Sequence, residues 1–415
     1  MKKALSLLTI SVLAASMLVA CESKDGDKKA AGDKDAADKT LIVWEDKDKK
    51  IGLMSAVAKF EKENNVTIKV KEISMKKQLK LLRLDGPAGT GADVFTIPYD
   101  QIGGAVTEGL ISELKVDSSV TNKYTESAIQ AETYNGKLYG LPKAIETAVF
   151  IYNKKLMPNA PATMDEVYNF AKGFTKNGNY GFLAPWNNFY FAYGPIGGFG
   201  GYVFEQKDGI YDPTKLGVNN DGAVTGADYI RKWYKEGLFP KEIIGEKGGT
   251  QMDDLFTSGK AASMISNRWS FPYKAANIDY GVAPLPKLPN GEPQKSFIGV
   301  TGWHVSSYSK NKDLAVKFVE FITNEENAKI RFEKTKEIPP IKALANDPSI
   351  AEDPGVKAVA AQSKYAVLMP NNLEMDKVWK PANDALQLIV TGKSEPKRAL
   401  DEAVKQIGTN IKINY

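Results

Sequence analysis

An α/β fold divided into more than one domain is what the sequence predicts, on three observations. Short apolar and β-branched runs alternate with segments of helical period in the first hundred residues, the pattern of a parallel sheet covered by helices. About 375 residues follow from Leu41 onward, more than one hydrophobic core usually supports. A stretch rich in Gly and aromatics, Met157 to Leu285, carries helical patterns of its own and reads as a separate lobe.

The residues ahead of the globular part read as an export and attachment device. Lys2 and Lys3 precede an apolar run, Ala4 to Ala20, that ends in Leu18-Val19-Ala20-Cys21. A basic start followed by such a run is a secretion signal, expected over residues 1–20 and short of the roughly 20 apolar residues a spanning helix needs. The four residues at its end resemble the bacterial lipobox, which implies that Cys21 is lipidated and begins the mature chain. Cys21 is the only cysteine, so no internal disulfide forms and packing alone holds the fold. Glu22 to Thr40 carries charges of both signs with Ala and Gly and no large apolar side chain. Such a segment cannot bury enough surface to order itself, and residues 21–40 are expected to act as a flexible tether about 25 Å long. The formal charge of +5 falls by two when Lys2 and Lys3 leave with the signal, which points away from nucleic acid as a partner.

Leu41-Ile42-Val43-Trp44, Thr67-Ile68-Lys69-Val70 and Asp93 to Ile97 are the predicted strands, and Ile51, Met54, Val57 and Phe60 recur at threefold spacing as the first helix. Ligands of parallel sheets sit beyond the carboxyl ends of the strands, which places Trp44 to Lys49 and Pro98 to Gln101 at a binding site. Further helices are predicted at Met164 to Phe174, Asp221 to Tyr234, Lys312 to Phe321, Asn324 to Glu333, Asp376 to Thr391 and Pro396 to Ile407. No internal repeat of fixed period is present.

Several chemistries are excluded by what the chain lacks. Gly86-Pro87-Ala88-Gly89-Thr90-Gly91 has neither the Lys-Ser/Thr pair nor the following helix of a phosphate loop, and reads as a turn. Asn219-Asn220-Asp221-Gly222 lacks the bidentate Glu of a calcium loop and reads as a helix start capped by Asn220 or Asp221. His304 is the only histidine, so zinc sites and Ser-His or Cys-His nucleophile pairs are not expected, and His304 is assigned to a strand. No catalytic residue, metal or cofactor is expected. Asp48, Asp100 and Glu146 could form a carboxylate pair of a glycosidase, but each has a simpler use as an acceptor for hydroxyl groups.

The positive signal is aromatic. Trp186, Phe189, Tyr190, Phe191, Tyr193, Trp269, Phe271, Tyr273, Trp303 and Trp379 cluster near Pro, Gly and Asn, as side chains on loops would. Flat apolar rings complement the C–H faces of sugar rings, and carboxylates and lysines pair with the hydroxyls. The two classes together predict a carbohydrate site.

Leu41-Ile42-Val43-Trp44, Ala92-Asp93-Val94-Phe95, Asn135-Gly136-Lys137-Leu138, Ile151-Tyr152-Asn153-Lys154 and Met369-Pro370-Asn371, in that order and spacing, resemble the maltose/maltodextrin-binding proteins of ABC importers. The resemblance runs from about Leu41 to near the C-terminus. It implies a two-lobed fold of the periplasmic-binding-protein type, crossed three times by the chain, with sugar in the cleft. The implied lobes are residues 41–144 plus 300–322 and residues 148–297 plus 325–415, with crossings near Ile145, Phe297 to Val300, and Thr323. The implied sugar contacts are Asp48, Lys49, Asp100 and Glu146 for hydroxyl groups, Tyr190, Trp269 and Trp379 for stacking, and Met369 as an apolar wall. Where the family's pattern has Trp, Arg, Glu and Arg, this chain has Ile97, Gln101, Asn188 and Asn383. The function implied is capture of malto-oligosaccharides and delivery to the permease subunits, by a monomer tethered through lipid to the outer face of the cell membrane. The alternatives are a binding protein for another oligosaccharide and a cell-surface glycoside hydrolase.

Overall fold

A computed structural model describes residues 39–207, 210–267 and 276–412. The export signal, Cys21 and the tether up to residue 38 lie outside the described residues, as do Trp269, Phe271 and Tyr273. No helix among the described residues is long and apolar enough to cross a membrane.

Two sheets organise residues 39–412. The larger has six strands: β1 (Thr40–Glu45), β2 (Thr67–Glu72), β3 (Val94–Pro98), β4 (Gly140–Glu146) and, after the second sheet, β8 (Ser296–Val305) and β9 (Ala366–Leu368). The second sheet has three, β5 (Val149–Asn153), β6 (Ser263–Ser266) and β7 (Tyr280–Ala283), with β5 central and both neighbours antiparallel to it. β1 pairs in parallel with β2, Leu41 opposite Ile68 and Val43 opposite Val70, and also with β3, Val43 opposite Val94. The predicted strands therefore form the predicted parallel core. Leu41, Val43 and Val94 are fully buried, as befits strands covered on both faces.

The first helix is Met54–Asn64, ended by Asn65 in the left-handed conformation at φ 50°. Its buried face is Leu53, Ala56, Val57 and Phe60, whereas Ile51 and Met54 are exposed. The threefold spacing read from the sequence misleads here, because each three-residue step falls about 60° short of a full helical turn, so Ile51 ends opposite Phe60. The other predicted helices form at Met164–Phe174, Asp221–Lys235, Lys312–Ile322, Glu325–Thr335, Asp376–Val390 and Pro396–Asn410. The Asn220 side chain accepts from Ala223 N at 2.8 Å, the expected cap.

The structure corrects the reading at two places. Phe189–Gly198, read as loop, is a helix apolar on every side and sunk in the core. Its Gly and Pro content hid it. Trp186 and Trp303 are fully buried, the former packed among Phe182, Trp233 and Phe239, so neither is available as a sugar platform. Residues 325–342, expected in the second lobe, lie against Gly52, Thr125 and Ile145. A Cβ on Gly52 would come within 2.8 Å of Thr335 Cγ2, Ile145 N donates to Ile338 O at 2.9 Å, and Thr125 N donates to Pro340 O at 2.9 Å.

The chain passes between the sheets at Thr147-Ala148, from β4 to β5, and again on entering β8. The two passages lie side by side, since Thr147 Oγ1 is 2.8 Å from both Ser296 Oγ and Phe297 O. β8 is shared: Ser296 to Ile298 pair with β9, while Gly299 to Val305 pair with β3 and β4. His304 lies in this strand, buried, with Nδ1 3.0 Å from Tyr139 O.

Candidate binding site

The site gathers where the carboxyl ends of β1, β3 and β4 meet the shared strand β8. β3 ends at Pro98 and turns into a short helical turn, Tyr99–Gln101, that carries Asp100. The Asp100 side chain is buried, and its Oδ2 accepts from Trp379 Nε1 at 3.0 Å, across 279 residues of sequence. Burial, with the Asp376 carboxylate as a lesser cause, pushes the Asp100 carboxyl up to about 7, against the pull of the Trp379 hydrogen bond. Trp379 stands on the helix Asp376–Val390, half-buried, edge-on to Phe189 and Phe297 at centroid distances of 6.1 and 6.0 Å. Phe297, at the second passage between sheets, also stacks on Tyr193 at 4.0 Å and meets Tyr190 at 6.0 Å.

Glu146, the last residue of β4, accepts from Asn267 Nδ2 at 2.9 Å. Burial raises its pKa, the Asn267 hydrogen bond and the Lys49 ammonium lower it, and the carboxylates of Glu337 and Asp46 add to the rise. Opposite Glu146 in β8 is Gly299, where a Cβ would lie 2.9 Å from Glu146 Cγ and 3.5 Å from the Tyr190 hydroxyl. A bare glycine here lets the carboxylate and the phenol approach. The Tyr190 hydroxyl is inaccessible and has no hydrogen-bond partner among the described residues. Burial and the charges of Glu146 and Asp100 push its pKa well up, so the phenol stays neutral and can both donate and accept.

The structure thus brings together Asp100, Glu146, Tyr190 and Trp379 and sets Lys49 within their field, with Lys49 Nζ donating to Thr335 O at 3.2 Å. Met369 is adjacent but buried, its carbonyl accepting from the Tyr99 hydroxyl at 2.9 Å. Asp48 stands apart, exposed, with a left-handed backbone at φ 62°. The positions of Trp269 and Cys21 lie outside the described residues.

The four departures have uses of their own. Ile97 is fully buried in β3. Asn188 caps the helix Phe189–Gly198 by accepting from Tyr190 N at 3.0 Å, and Asn383 accepts from Phe189 N at 2.7 Å. Both asparagines thereby fix the start of the helix that carries Tyr190. Gln101 is half-exposed beside Asp100. Asn267 went unrecognised in the sequence, and Phe297 and Gly299 entered only as part of the implied crossing at Phe297 to Val300.

A hydrolase would need its two carboxyls pushed apart, one acidic and one basic. Here burial moves Asp100 and Glu146 in the same direction, upward. A separate groove of about 490 Å³, lined by Phe60, Asn64, Tyr124, Lys317, Thr323 and Ile341 among others, contains none of these residues.

Residues 55–358 match the family described as bacterial extracellular solute-binding protein. Over the whole chain, with 99% of each relative covered, the sequence is 46% identical to the galactooligosaccharide-binding protein of Bacillus subtilis (strain 168) and 38% identical to a maltodextrin-binding protein of the same organism. Among solved structures, a cyclo/maltodextrin-binding protein complexed with maltotetraose is 42% identical, with TM-score 0.76, covering 90% of this chain and 97% of that one.

Proposed function

Because the chain belongs to the bacterial extracellular solute-binding proteins, we propose that it captures a neutral oligosaccharide in the cleft at Asp100, Glu146, Tyr190 and Trp379 and hands it to the permease of an ABC importer. It does so without catalysing any reaction. The observation that carries this reading is the bond between Trp379 and Asp100, an indole ring fixed beside a buried acceptor with Tyr190 and Glu146 next to it. A sugar needs that pairing of apolar face and acceptor, and an uncharged ligand adds no desolvated charge to a buried site.

Malto-oligosaccharide is the first reading of the sugar, from the resemblance at Lys49, Asp100, Glu146, Tyr190 and Trp379. Galacto-oligosaccharide is the second, supported by the higher identity to the galactooligosaccharide-binding relative, 46% against 38%, and by the departures at Ile97, Gln101, Asn188 and Asn383. Calorimetric titration with maltotriose and with a β-linked galactotriose separates them. One of the two binds in the micromolar range, about −8 kcal/mol, and at least about tenfold more tightly than the other. Binding of neither would sink the oligosaccharide reading.

Ligand closing the cleft acts through contacts made on both sides at once, and the passages at Thr147 and Ser296–Phe297 are where the backbone would rotate. We place the first lobe at residues 41–144, 300–322 and, on the packing described above, 325–342, and the second at 148–297 and the remainder. Cys21 is the proposed attachment point, the two chains of a diacylglycerol being enough for stable anchoring. Replacement of Cys21 by Ala is expected to shed the protein into the medium, and wild-type retention at the membrane would contradict the anchor.

A further inference from the structure

Beneath the cleft lies a group of charged side chains that the binding reading leaves unused. Lys143, in β4, is 1% exposed, and its ammonium is 2.6 Å from Glu45 Oε1 and 3.0 Å from Glu337 Oε1. The same ammonium lies 5.2 Å from the centre of the Trp303 ring. Arg331 is equally buried and donates to Lys143 O at 2.7 Å and Ile322 O at 3.0 Å. Glu45 and Lys143 are sealed from water, but the Glu337 side chain is 14% exposed. Glu337 is where the cluster opens toward the site.

We propose that Glu337 is a positioning residue for sugar binding, holding the Lys49 ammonium at the cleft beside Glu146; this rests on the oligosaccharide reading above. Its two carboxylate oxygens do different jobs. Oε1 meets Lys143, and Oε2 accepts from Thr335 Oγ1 at 3.0 Å. Thr335 O, in turn, accepts from Lys49 Nζ. One residue, Thr335, therefore touches Lys49 with its carbonyl and Glu337 with its hydroxyl. The charges alternate along this path from core to cleft: Glu45, Lys143, Glu337, Lys49, Glu146. Each neighbour in the row stabilises the next, and the low-dielectric surroundings strengthen the coupling. The Lys143, Lys49 and Arg331 charges hold the Glu337 carboxyl down to about 2 despite its burial, so it is ionised under all ordinary conditions. Glu337 in return opposes ionisation of Glu146, while Lys49 favours it.

Two consequences separate positioning from a merely structural role. Glu337→Gln keeps the shape but removes the charge that restrains Lys49, and should weaken the binding of maltotriose or β-linked galactotriose about tenfold, the loss of one charge-assisted contact. In a Lys49→Met background the same change should cost less than about twofold, because its route to the sugar is already gone. Independently of any sugar, the side-chain carboxyl of Glu146, followed by carbon NMR in the ligand-free protein, should titrate at higher pH in Glu337→Gln than in the parent, because the released Lys49 charge lowers Glu146 more than the lost Glu337 charge raises it. Glu337→Asp keeps the charge next to Lys143, guards against a variant that fails to fold, and should leave the Glu146 titration near that of the parent while weakening binding less than Glu337→Gln. An equal loss with and without Lys49, or an unmoved or lowered Glu146 titration in Glu337→Gln, overturns the proposal. An upward Glu146 shift in a protein that binds neither sugar supports the electrostatic coupling and rejects the oligosaccharide reading alone.

Discussion

Replacing Lys143 by Met is expected to remove a large share of the protein's stability at neutral pH. The side chain is 1% exposed, and its ammonium is the shared partner of two carboxylates, one of them, Glu45, with no exposed surface at all. Glu45 Oε1 accepts from Lys143 Nζ, and Oε2 has no hydrogen-bond partner among the described residues. Met fills the space but leaves two anions facing each other where water cannot reach both. Breaking a buried pair from one side costs about 3–5 kcal/mol, a large share of the roughly 5–15 kcal/mol that holds a typical domain.

The pH dependence has a definite sign. In the parent, Lys143 first and Lys49 and Arg331 next hold Glu337 near 2, below its usual 4.5, so its contribution is present above pH 4.5 and fades as pH falls toward 2. Glu45 is displaced the other way, raised chiefly by burial, and favours the folded state as pH falls. Without Lys143 both carboxyls shift upward, and protonation relieves their repulsion. The variant should therefore recover stability relative to the parent between pH 7.5 and pH 5. Urea unfolding of both proteins at the two pH values checks this. A parent-like midpoint at pH 7.5 would show that the cluster contributes little.

The second large effect is on binding. Trp379→Ala removes both the half-buried ring and the N–H that Asp100 accepts. Loss of one stacking platform costs about 1–3 kcal/mol in comparable aromatic sites, a tenfold to hundredfold fall in affinity. Asp100 also loses the one side-chain hydrogen bond that lowers its pKa, so it moves further above about 7 and spends more of the neutral range protonated. Sugar hydroxyls that donate to an ionised Asp100 then find a poorer acceptor. Residual binding by Trp379→Ala should thus rise from pH 6 to pH 8 more steeply than in the parent. Trp379→Phe, which keeps a ring without the donor, should recover part of the affinity but not the pH profile. Calorimetry at pH 6 and pH 8 with the tighter of the two trisaccharides reads both effects. A folded Trp379→Ala that binds as the parent does would place the site elsewhere.

The parallel core was readable because Leu41, Val43, Ile68 and Val94 are apolar in short runs, and a strand buried on both faces leaves that mark. Helices such as Met164–Phe174 announced themselves by period. Phe189–Gly198 did not, since a helix with no polar face has no period to detect. A periodic helix such as Glu325–Thr335 says which face is buried, not which lobe buries it.

Within the site, the resemblance supplied Asp100, Glu146, Tyr190 and Trp379, and the structure supplied what joins them. Asn267 reaches Glu146 across 121 residues, and Thr147 reaches Phe297 across 150. Pairings at such separations leave no local trace in one sequence. The aromatic excess was read too broadly, because Trp186 and Trp303 were counted with Trp379 although only burial tells a core ring from a platform.

The proposed function requires a sugar lying against Trp379 and within hydrogen-bond reach of Asp100, Glu146 and Tyr190. A crystal structure of the complex with the trisaccharide that binds more tightly tests it most directly. One sugar ring should lie over the Trp379 indole at van der Waals contact, about 3.5–4.0 Å, with hydroxyl oxygens at about 2.5–3.0 Å from the Asp100 and Glu146 carboxylates. A trisaccharide bound in the groove at Phe60 and Tyr124, or anywhere out of contact with Trp379, would contradict it.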